Sequence, residues 1–562
     1  MNNFHFYVKN IFNKCCVFIK NHPVICSFFP GLLAKSAFTA GQHTIMLVLS
    51  VEIFYFILNH LYTTKSYGRS LLVGYMYGLG LYAGILYWET YLHDYSIGDL
   101  SQMALSLSFY LVSILYVAVF YSFTTYLSVK LAFNKFSLLS FWAIFITLAE
   151  ILQGFICPGY PFTIIAYGTI GIPYFSNIAA VFGSYGVTFL FLFILALVNV
   201  KKTFHWGVVT FFIIITYGVY NVSNKKNLLQ QENNFGVIIT QPNFDYKTRE
   251  WGDYRQNCDD IAAMAKDVHC FSEKILLLTP ETIIANKPGE IKYFQQTLLG
   301  NNDIYAMTGF LEKYKKKREP MLKDLYYSSN DTSTYNVVHV YRRNQLPEDN
   351  FSQTDKTEKI KFESVACYKK KYLIPFGEFL PNWFLLLSNF FPDRLTENLF
   401  ETFHFGGLDG GDDDNTIKLS GIDQFDMNIC YDIVLPGKSM SDPLGSTWIV
   451  NVINLHNYCS SGISDIAHQQ NVMCRFRAME FGKPIAVCAN FGYSCFIDCN
   501  GQIIKILTPN KKGTLSLHFP LKYRITTFCK YKNALLYIII FILVSCMLCY
   551  KILYHRKNNE HL

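Results

Sequence analysis

Hydrophobic residues divide the 562-residue chain into two kinds of segment. Long apolar runs fill residues 1–221 and return at 533–550, whereas residues 222–532 have the mixed composition of a water-soluble domain. A membrane-spanning helix needs about 20 mostly apolar residues. The pattern therefore predicts a membrane domain of about seven helices at 1–221, a soluble domain at 222–532, and a last spanning helix with a short tail at 533–562.

Eight apolar runs are candidate membrane spans. They lie at about 24–40, 44–61, 70–88, 103–129, 137–157, 176–199, 205–221 and 533–550. The stretch 160–175 has two prolines and two glycines. Because these residues interrupt a helix, we expect a broken or re-entrant segment there rather than a further span.

Lys and Arg occur in every second loop between these runs. Loops with this bias face the cytoplasm. The alternation predicts that both termini are cytoplasmic and that 222–532 lies on the outer side, although four lysines near the ends of that domain would then lie outside as well. The N-terminus has no clean apolar core with a small-residue cleavage site, so we expect it to be retained.

Composition narrows the possible functions. Charged residues make up only 16% of the chain, against about 25% in soluble proteins. The net charge of +8 gives no reason to expect a nucleic-acid partner. The chain has no GxxxxGK[ST] or HExxH motif, and the acidic loop at 409–415 lacks EF-hand spacing, so we expect neither a cofactor nor a metal. The cysteines of 222–532 could form disulfides or serve as small buried hydrophobes.

The soluble region has the pattern of a mixed α/β domain. Helices are expected at 254–268 and 463–481, and a hairpin at 496–504 with its turn at Asn500-Gly501. The polar stretches 312–334 and 342–364 are interpreted as surface insertions around one strand. Short β-type runs occur at 235–240, 274–281, 303–310, 335–341, 426–432, 446–455 and 484–490.

Candidate catalytic residues stand at three strand ends. Glu281 follows an apolar strand and a Thr-Pro pair, and Lys370 lies in a lysine-bearing strand that leads into Pro-Phe-Gly-Glu378. Cys430 follows the apolar strand that ends at Ile429. Period-two alternation turns Lys370 away from the face used by its two lysine neighbours.

Together these residues form a complete set for acyl transfer. A cysteine nucleophile needs a base to form its thiolate, and a carboxylate can serve if burial raises its pKa toward neutrality. An ammonium can stabilise the oxyanion of the tetrahedral intermediate. Each signal alone is weak, since a lone strand cysteine is usually a buried hydrophobe and a lysine run is usually solvated.

At this point the sequence resembles the apolipoprotein N-acyltransferase family, bacterial membrane enzymes with a nitrilase-like domain. The resemblance covers almost the whole chain, including the plan of eight spans with the soluble domain before the last. The motifs that carry it are Gly78-x-Gly80 through Trp88, Glu150-x-x-x-Gly154, Gly159-Tyr-Pro161, Gly183-x-x-Gly186, Gln241-Pro-Asn243 with Trp251, Pro-Glu281, Tyr-x-Lys370-x-x-Leu-x-Pro-Phe-Gly-Glu378, Ile-Cys430-Tyr-Asp432, Arg475-x-Arg477-Ala-x-Glu480, Asn490-x-Gly492-x-Ser494 and Asp498.

The resemblance implies a fold, a reaction and residue roles. The fold is a multi-pass α-helical membrane domain with an extracytoplasmic α/β nitrilase-like domain, an αββα sandwich. Cys430 would be the nucleophile, Glu281 the general base and Lys370 the oxyanion stabiliser. The supporting residues would be Glu378, Tyr431 and Asp432, and Trp251 would contact substrate or be an ordinary surface aromatic.

In that reaction, an acyl chain passes from a phospholipid donor through a cysteine thioester to the free α-amino group of a diacylated apolipoprotein. The resemblance places the enzyme in the bacterial inner membrane, with its catalytic domain in the periplasm and membrane lipids around it. We expect a monomer.

Three positions depart from the family pattern. Asp432 stands where Glu is usual, Thr279 stands where Trp is usual, and residues 454–459 replace the family's Asn-Asp-x-Trp-Phe-Gly block. Lipid selectivity and rate are therefore open. Three alternatives remain: a membrane-tethered amidase that uses water as the second substrate, a catalytically altered homologue, and a non-catalytic scaffold or transporter. The few charged residues within the spans disfavour an ion pathway and hence a transporter.

Overall fold

The structure is a computed structural model. It describes residues 13–559 except 92–99, 157–160, 225, 227, 231, 245–253, 267–273, 285, 300–303, 316–331, 346–359, 376, 380–406, 457–464 and 519–520. The chain forms two compact units, one built from the N-terminal segment up to Ser223 together with the C-terminal segment from Tyr531, the other from Asn224–Lys530.

The first unit is helical. Its helices are α1 (Asn13–Asn21), α2 (Pro23–Leu33), α3 (Thr44–Thr63), α4 (Tyr67–Ile85), α5 (Leu100–Leu131), α6 (Lys135–Gln153), α7 (Ala179–Val198), α8 (Phe204–Ser223) and, at the C-terminal end of the chain, α13 (Ala534–Asn559). Among the described residues, six helices are long and apolar enough to cross a membrane, or seven if the bent pair α1 and α2 counts as one span.

Two of the eight expected spans look different in the structure. The first expected span, 24–40, falls on the second member of a helix pair, Asn13–Asn21 and Pro23–Ala37, that is bent by 114°. The third is helix α4, which is continuous but is not one of the six long, apolar helices, and several of its buried positions are glycines that allow close packing. A Cβ on Gly80 would overlap the carbonyl oxygen of Phe28, and one on Gly31 would overlap that of Tyr77, so α2 and α4 can approach closely only with glycine there.

The segment 161–178 forms two short 3-10 turns, Ile165–Thr169 and Phe175–Ile178, instead of a span. The prediction of a broken segment is confirmed. The Glu150 side chain on α6 accepts a hydrogen bond of 2.8 Å from the backbone N–H of Ile165, which satisfies a donor that the broken helix leaves free. The Glu52 carboxylate on α3 also accepts a hydrogen bond within this unit, from the Asn199 side-chain amide at 2.7 Å.

The second unit contains two six-stranded sheets. Their strands are β1 (Phe235–Gln241), β2 (Lys274–Leu278), β3 (Ile304–Lys315), β4 (Thr332–Gln345), β5 (Ile360–Lys369), β6 (Thr416–Leu419), β7 (Ile422–Ile429), β8 (Trp448–Asn454), β9 (Ile485–Asn490), β10 (Ser494–Ile497), β11 (Ile503–Leu507) and β12 (Gly513–His518). The strand orders are β12-β1-β2-β3-β4-β5 and β11-β10-β9-β8-β7-β6. In each sheet the middle strands are parallel: β1, β2 and β3 in one, β7, β8 and β9 in the other.

The sheets pack face to face between helices. The Cys488 thiol on β9 lies 3.3 Å from the Thr240 carbonyl oxygen on β1. Helices α9 (Tyr254–Lys266) and α10 (Pro288–Leu298) cover the outer face of the first sheet, where Phe294 and Phe310 share one hydrophobic core. The remaining helices of this unit are α11 (Asp465–Phe481), which packs on the second sheet, and α12 (Thr527–Tyr531). The predicted αββα sandwich is confirmed.

The interpretation of 312–334 and 342–364 as insertions around one strand is wrong at their edges. Strand β3 continues to Lys315, β4 runs from Thr332 to Gln345, and an additional strand, β5, begins at Ile360. Strands β3, β4 and β5 form two consecutive antiparallel hairpins, and β5 lies at the edge of the sheet. Polar residues are tolerated there because one face of the edge strand is exposed to solvent.

The hairpin between β10 and β11 is confirmed. Gly501 has a positive φ of 78°, and its N–H donates to the Asp498 carbonyl at the turn. The described cysteines are all free thiols in the structure. Most of those in the second unit are buried, as small hydrophobes are.

Candidate active site

The candidate residues meet at one end of the sandwich because parallel strands deliver them to the same edge. Glu281 lies just beyond the end of β2, Cys430 follows the last residue of β7, and Asn454 ends β8. Lys370 follows the last residue of β5. The carboxyl ends of parallel strands are the usual place for ligand sites in α/β folds.

Lys370 lies at the centre of this group. Its side chain is fully buried, and Nζ lies 2.7 Å from Glu378 Oε1 and 3.4 Å from Glu281 Oε1. Burial lowers the pKa of Lys370, but the two carboxylates together raise it well above its usual value. The ammonium therefore stays charged at any physiological pH, as an oxyanion stabiliser must.

Glu281 is held by three donors. Oε1 accepts a hydrogen bond of 2.7 Å from the Asn336 side-chain amide as well as the Lys370 contact, and Oε2 accepts one of 3.0 Å from the backbone N–H of Asn454. Burial raises the pKa of Glu281, and the Lys370 charge opposes this rise. A carboxylate with a raised pKa is a better proton acceptor than an exposed one.

Cys430 begins a 3-10 turn that spans Cys430–Val434. Its φ of 50° is in the left-handed region, which costs a non-glycine residue roughly 1–3 kcal/mol. This sharp change of direction ends the strand and turns the cysteine out of the sheet. Burial and the Glu281 charge raise the pKa of the thiol well above its usual value, so the thiol is protonated at rest and its activation needs a base.

Asp432 ties the cysteine turn to the lysine segment. Oδ2 accepts hydrogen bonds from the Ile429 N–H at 3.0 Å and from the Tyr368 hydroxyl at 2.9 Å, and Oδ1 accepts one from the Tyr372 N–H at 2.8 Å. Burial raises the pKa of Asp432 to about 6. The shorter Asp thus makes three contacts at the position where the family usually has Glu.

Glu378 and the acidic loop at 409–415 also contact Lys370. Glu378 Oε2 accepts a hydrogen bond of 2.8 Å from the Ile374 N–H, which holds the carboxylate next to the ammonium. Gly411 donates its N–H to the Lys370 carbonyl at 2.8 Å. The acidic side chains at 412–414 are exposed, and the contact of this loop with Lys370 comes from its backbone.

The structure brings five of the predicted site residues into one linked cluster: Glu281, Lys370, Glu378, Cys430 and Asp432. Tyr431 is buried in the same turn as Cys430. Lys369 and Lys371 are partly exposed, unlike Lys370. Trp251 lies outside the described residues. Thr279, in place of the family Trp, is buried and donates its hydroxyl to the Met307 carbonyl.

Sequence reasoning missed Asn336 and Gln470. Asn336 is a lone buried polar residue between apolar neighbours in β4, and that is the signal that could have identified it. Gln470 on α11 donates to the Cys430 carbonyl at 3.4 Å, and its amide lies 4.0 Å from Sγ. Its helix shows no local feature that separates this glutamine from the adjacent Gln469.

Two family models match the chain. The apolipoprotein N-acyltransferase N-terminal domain matches residues 30–197, and the carbon-nitrogen hydrolase family matches 237–527. The second match covers just over half of the chain. It contains every site residue described above.

Full-length relatives share both parts. The apolipoprotein N-acyltransferase of Pasteurella multocida is 22% identical over 491 residues, covering 85% of this chain and 86% of its own. That of Brucella melitensis is 22% identical over 464 residues (80% and 79%), and that of Rhizobium leguminosarum bv. trifolii 24% identical over 462 residues (78% of each). Among solved structures, an amidase from Nesterenkonia sp. matches at 13% identity with a TM-score of 0.31, covering 56% of this chain and 98% of its own.

The two family matches and the extended similarity to these relatives agree with the helical unit followed by an αββα domain. The chain therefore belongs to the carbon-nitrogen hydrolase family and, within it, to the membrane-embedded apolipoprotein N-acyltransferases, which are acyltransferase enzymes.

Proposed function

We propose that this enzyme transfers a fatty acyl chain from a phospholipid to the α-amino group of the N-terminal diacylglyceryl-cysteine of an apolipoprotein, through a thioester on Cys430. The observation that carries the proposal is the position of Lys370, whose ammonium lies between Glu281 and Glu378. Lys370 provides a buried positive charge close to the base Glu281 and the thiol of Cys430. This combination suits acyl transfer, because the charge can stabilise the oxyanion that forms during the reaction.

In the first half-reaction, Glu281 accepts the proton of the Cys430 thiol as sulfur attacks the phospholipid ester carbonyl. The developing oxyanion is stabilised by the Lys370 ammonium, which is in place before the reaction begins. When the carbon–oxygen bond breaks, Glu281 returns the proton to the leaving oxygen. The products are the Cys430 thioester and a lysophospholipid.

In the second half-reaction, the lipoprotein amine attacks the thioester carbonyl. Glu281 accepts a proton from the attacking nitrogen, and Lys370 again stabilises the oxyanion. The carbon–sulfur bond breaks, and the proton passes from Glu281 to the departing thiolate. The lipoprotein leaves with an amide-linked acyl chain, and the enzyme returns to its starting state.

Glu378, Asp432 and Tyr431 act as supporting residues in this scheme. Glu378 positions Lys370 through the 2.7 Å ion pair. Asp432 fixes the Cys430 turn and the backbone on both sides of Lys370. Trp251 is proposed as a substrate contact on the basis of its motif alone.

We further propose that the enzyme is a monomer in the bacterial inner membrane with its catalytic domain in the periplasm. The alternating loop charges support this orientation. It matches the substrates, since a diacylated lipoprotein and a phospholipid donor would both be held in the membrane.

Mass spectrometry of a lipoprotein tests the proposal directly. The lipoprotein is produced in cells depleted of their own N-acyltransferase, with this chain or its Cys430→Ala variant supplied. We expect a triacylated N-terminal cysteine with the intact chain and a diacylated one with the variant. A diacylated product in both, with the intact chain folded in the membrane, would refute the proposed transfer.

A further inference from the structure

A second group of chemically reactive side chains lies on the other face of the first sheet. His339 on β4 pairs directly with Cys367 on β5 and with Thr308 on β3. Glu312 is four residues beyond Thr308, so it belongs to the same face. Asn336 and Lys370 are each three residues from His339 and Cys367, and therefore belong to the opposite, catalytic face.

Three potential metal ligands converge there. His339 Nε2 lies 3.1 Å from Glu312 Oε2 and 3.4 Å from Cys367 Sγ, and all three ligand atoms lie within 4.8 Å of one another. In a tetrahedral zinc site with bonds of about 2.0–2.3 Å, ligand atoms are roughly 3.3–3.8 Å apart. Small side-chain adjustments would therefore place all three on one ion.

The hydrogen bonds of Ser364 orient the histidine for this role. The Ser364 hydroxyl donates to the Ala366 carbonyl at 3.3 Å, so it accepts at 2.8 Å from Nδ1–H of His339. With the proton on Nδ1, the lone pair of Nε2 faces the Glu312 carboxylate and the Cys367 thiol. The Cys367 thiol, 3.4 Å from Nε2, can donate its proton to this lone pair, and a metal ion would take the place of that proton.

The neighbouring groups fit a cation at this point. The Tyr314 hydroxyl donates to Glu312 Oε2 at 2.5 Å and provides a further oxygen beside the cluster. The Lys369 ammonium on the same face lies 3.9 Å from Asp413, which matches its charge. The His339 ring is stacked between the Phe310 and Tyr341 rings, at centroid distances of 5.1 and 5.7 Å, which holds the ring plane fixed.

We propose that Glu312, His339 and Cys367 bind one Zn²⁺ ion. Imidazole nitrogen, thiolate sulfur and carboxylate oxygen are the zinc ligands of proteins, and three of them with one water complete a tetrahedron. Binding releases the Cys367 thiol proton to solvent. Thiolate and carboxylate then balance the dipositive ion, while the histidine stays neutral.

The ion would act as a clip rather than as a second active site. It joins β3, β4 and β5 on their outer face, and β4 and the segment after β5 supply Asn336 and Lys370 on the inner face. Because these strands form the edge of the sheet, a bond across all three would restrain the positions of both residues. No contiguous motif predicts the cluster, since its members come from three strands.

Zinc binding by the purified, tag-free full-length chain tests this inference. After treatment with a chelator and equilibration with zinc chloride, we expect one retained equivalent by elemental mass spectrometry and a higher Tm. Cys367→Ser and His339→Gln should lose the ion and the shift in Tm. Ser364→Ala, which removes only the partner of Nδ1, should weaken zinc affinity roughly tenfold.

Cobalt identifies the thiol that binds. Co²⁺ should give a thiolate charge-transfer band in the wild type and in Cys430→Ser, but not in Cys367→Ser. Cys546→Ser, an exposed cysteine of α13, is the matched control and should bind like the wild type. No retained zinc in a folded wild type, equal retention in Cys367→Ser, or a band that disappears with Cys430 would each overturn the proposal.

Discussion

The Tyr368 hydroxyl donates a 2.9 Å hydrogen bond to Asp432, and this contact joins the two segments that carry Lys370 and Cys430. The same carboxylate accepts from the Tyr372 backbone N–H, so Asp432 holds the chain on both sides of the lysine. It also accepts the Ile429 N–H directly before the cysteine. Asp432 therefore couples the position of the lysine segment to that of the cysteine turn, although it takes no part in the reaction itself.

Removing this link should lower activity without removing any reacting group. A hydrogen bond to a charged partner contributes about 1.5–3 kcal/mol, so Tyr368→Phe should reduce kcat/KM roughly ten- to a hundredfold. Asp432→Ala, which loses all three contacts, should reduce it further. Tyr372→Phe is the matched control: it keeps the backbone N–H that donates to Asp432, so its activity should stay close to that of the wild type. Equal losses for Tyr368→Phe and Tyr372→Phe would contradict the link.

Much of the site could be predicted from sequence because its residues follow apolar strands. Glu281 and Cys430 each stand just beyond such a strand, and the parallel arrangement brings those ends together. The contact between Asp432 and Tyr368 spans 64 positions and could not be read from local pattern. The first half of β5 was assigned to an insertion because its exposed face carries polar residues, so it lacks the hydrophobicity of a buried strand.

The three consecutive lysines should differ sharply in importance. Lys370→Ala should lower kcat by at least roughly 100–1,000-fold, since it removes the proposed oxyanion stabiliser. Lys369→Ala and Lys371→Ala should be nearly silent, because those side chains are partly exposed. Activity is measured with a fluorescent phospholipid and a lipopeptide acceptor. Equal effects of all three substitutions would indicate a diffuse charge patch instead.

Loss of Lys370 also leaves the buried Glu281 carboxylate and the partly exposed Glu378 carboxylate without their cation, which destabilises the fold. The double variant Lys370→Ala, Glu378→Gln removes one of these charges and should recover the Tm of the wild type more nearly than the single variant does. It should remain inactive. Recovered activity in the double variant would rule out the assigned role of the lysine.

The pH dependence should report the protonation of Glu281. Burial raises its pKa, and the general base must be deprotonated, so kcat/KM should fall as the pH falls through that raised pKa. Asn336→Leu removes a hydrogen bond that lowers the pKa of Glu281, so its acid limb should move to higher pH. Asp259→Asn, an exposed carboxylate on α9, should leave the limb unchanged. An unshifted limb in Asn336→Leu would argue against Glu281 as the titrating base.

Orientation in the membrane can be measured independently of activity. An alkaline phosphatase fused at about residue 300 should be active and a fluorescent protein fused there should be dark, because the loop charges place this region outside the cytoplasm. Fusions after residue 559 should give the reverse result. A cytoplasmic reading at residue 300 would contradict both the orientation and access to lipoprotein substrates.

A covalent intermediate should be isolable because a cysteine nucleophile divides the transfer into two half-reactions. Purified enzyme given phospholipid and no acceptor should gain the mass of one fatty acid less one water, and neutral hydroxylamine should remove this adduct. Cys430→Ala should gain nothing. Glu281→Gln should react slowly or not at all, since burial keeps the thiol protonated until a base removes its proton.

The fate of that intermediate separates the proposed transfer from hydrolysis. A diacylated lipopeptide should discharge the thioester onto its own α-amine, and the same peptide with an acetylated amine is the control that should not. Release of free fatty acid with either peptide would favour the membrane-tethered amidase, because water would then be the acceptor. A folded enzyme that forms no adduct under any of these conditions would leave Cys430 as a core residue and exclude the thioester mechanism.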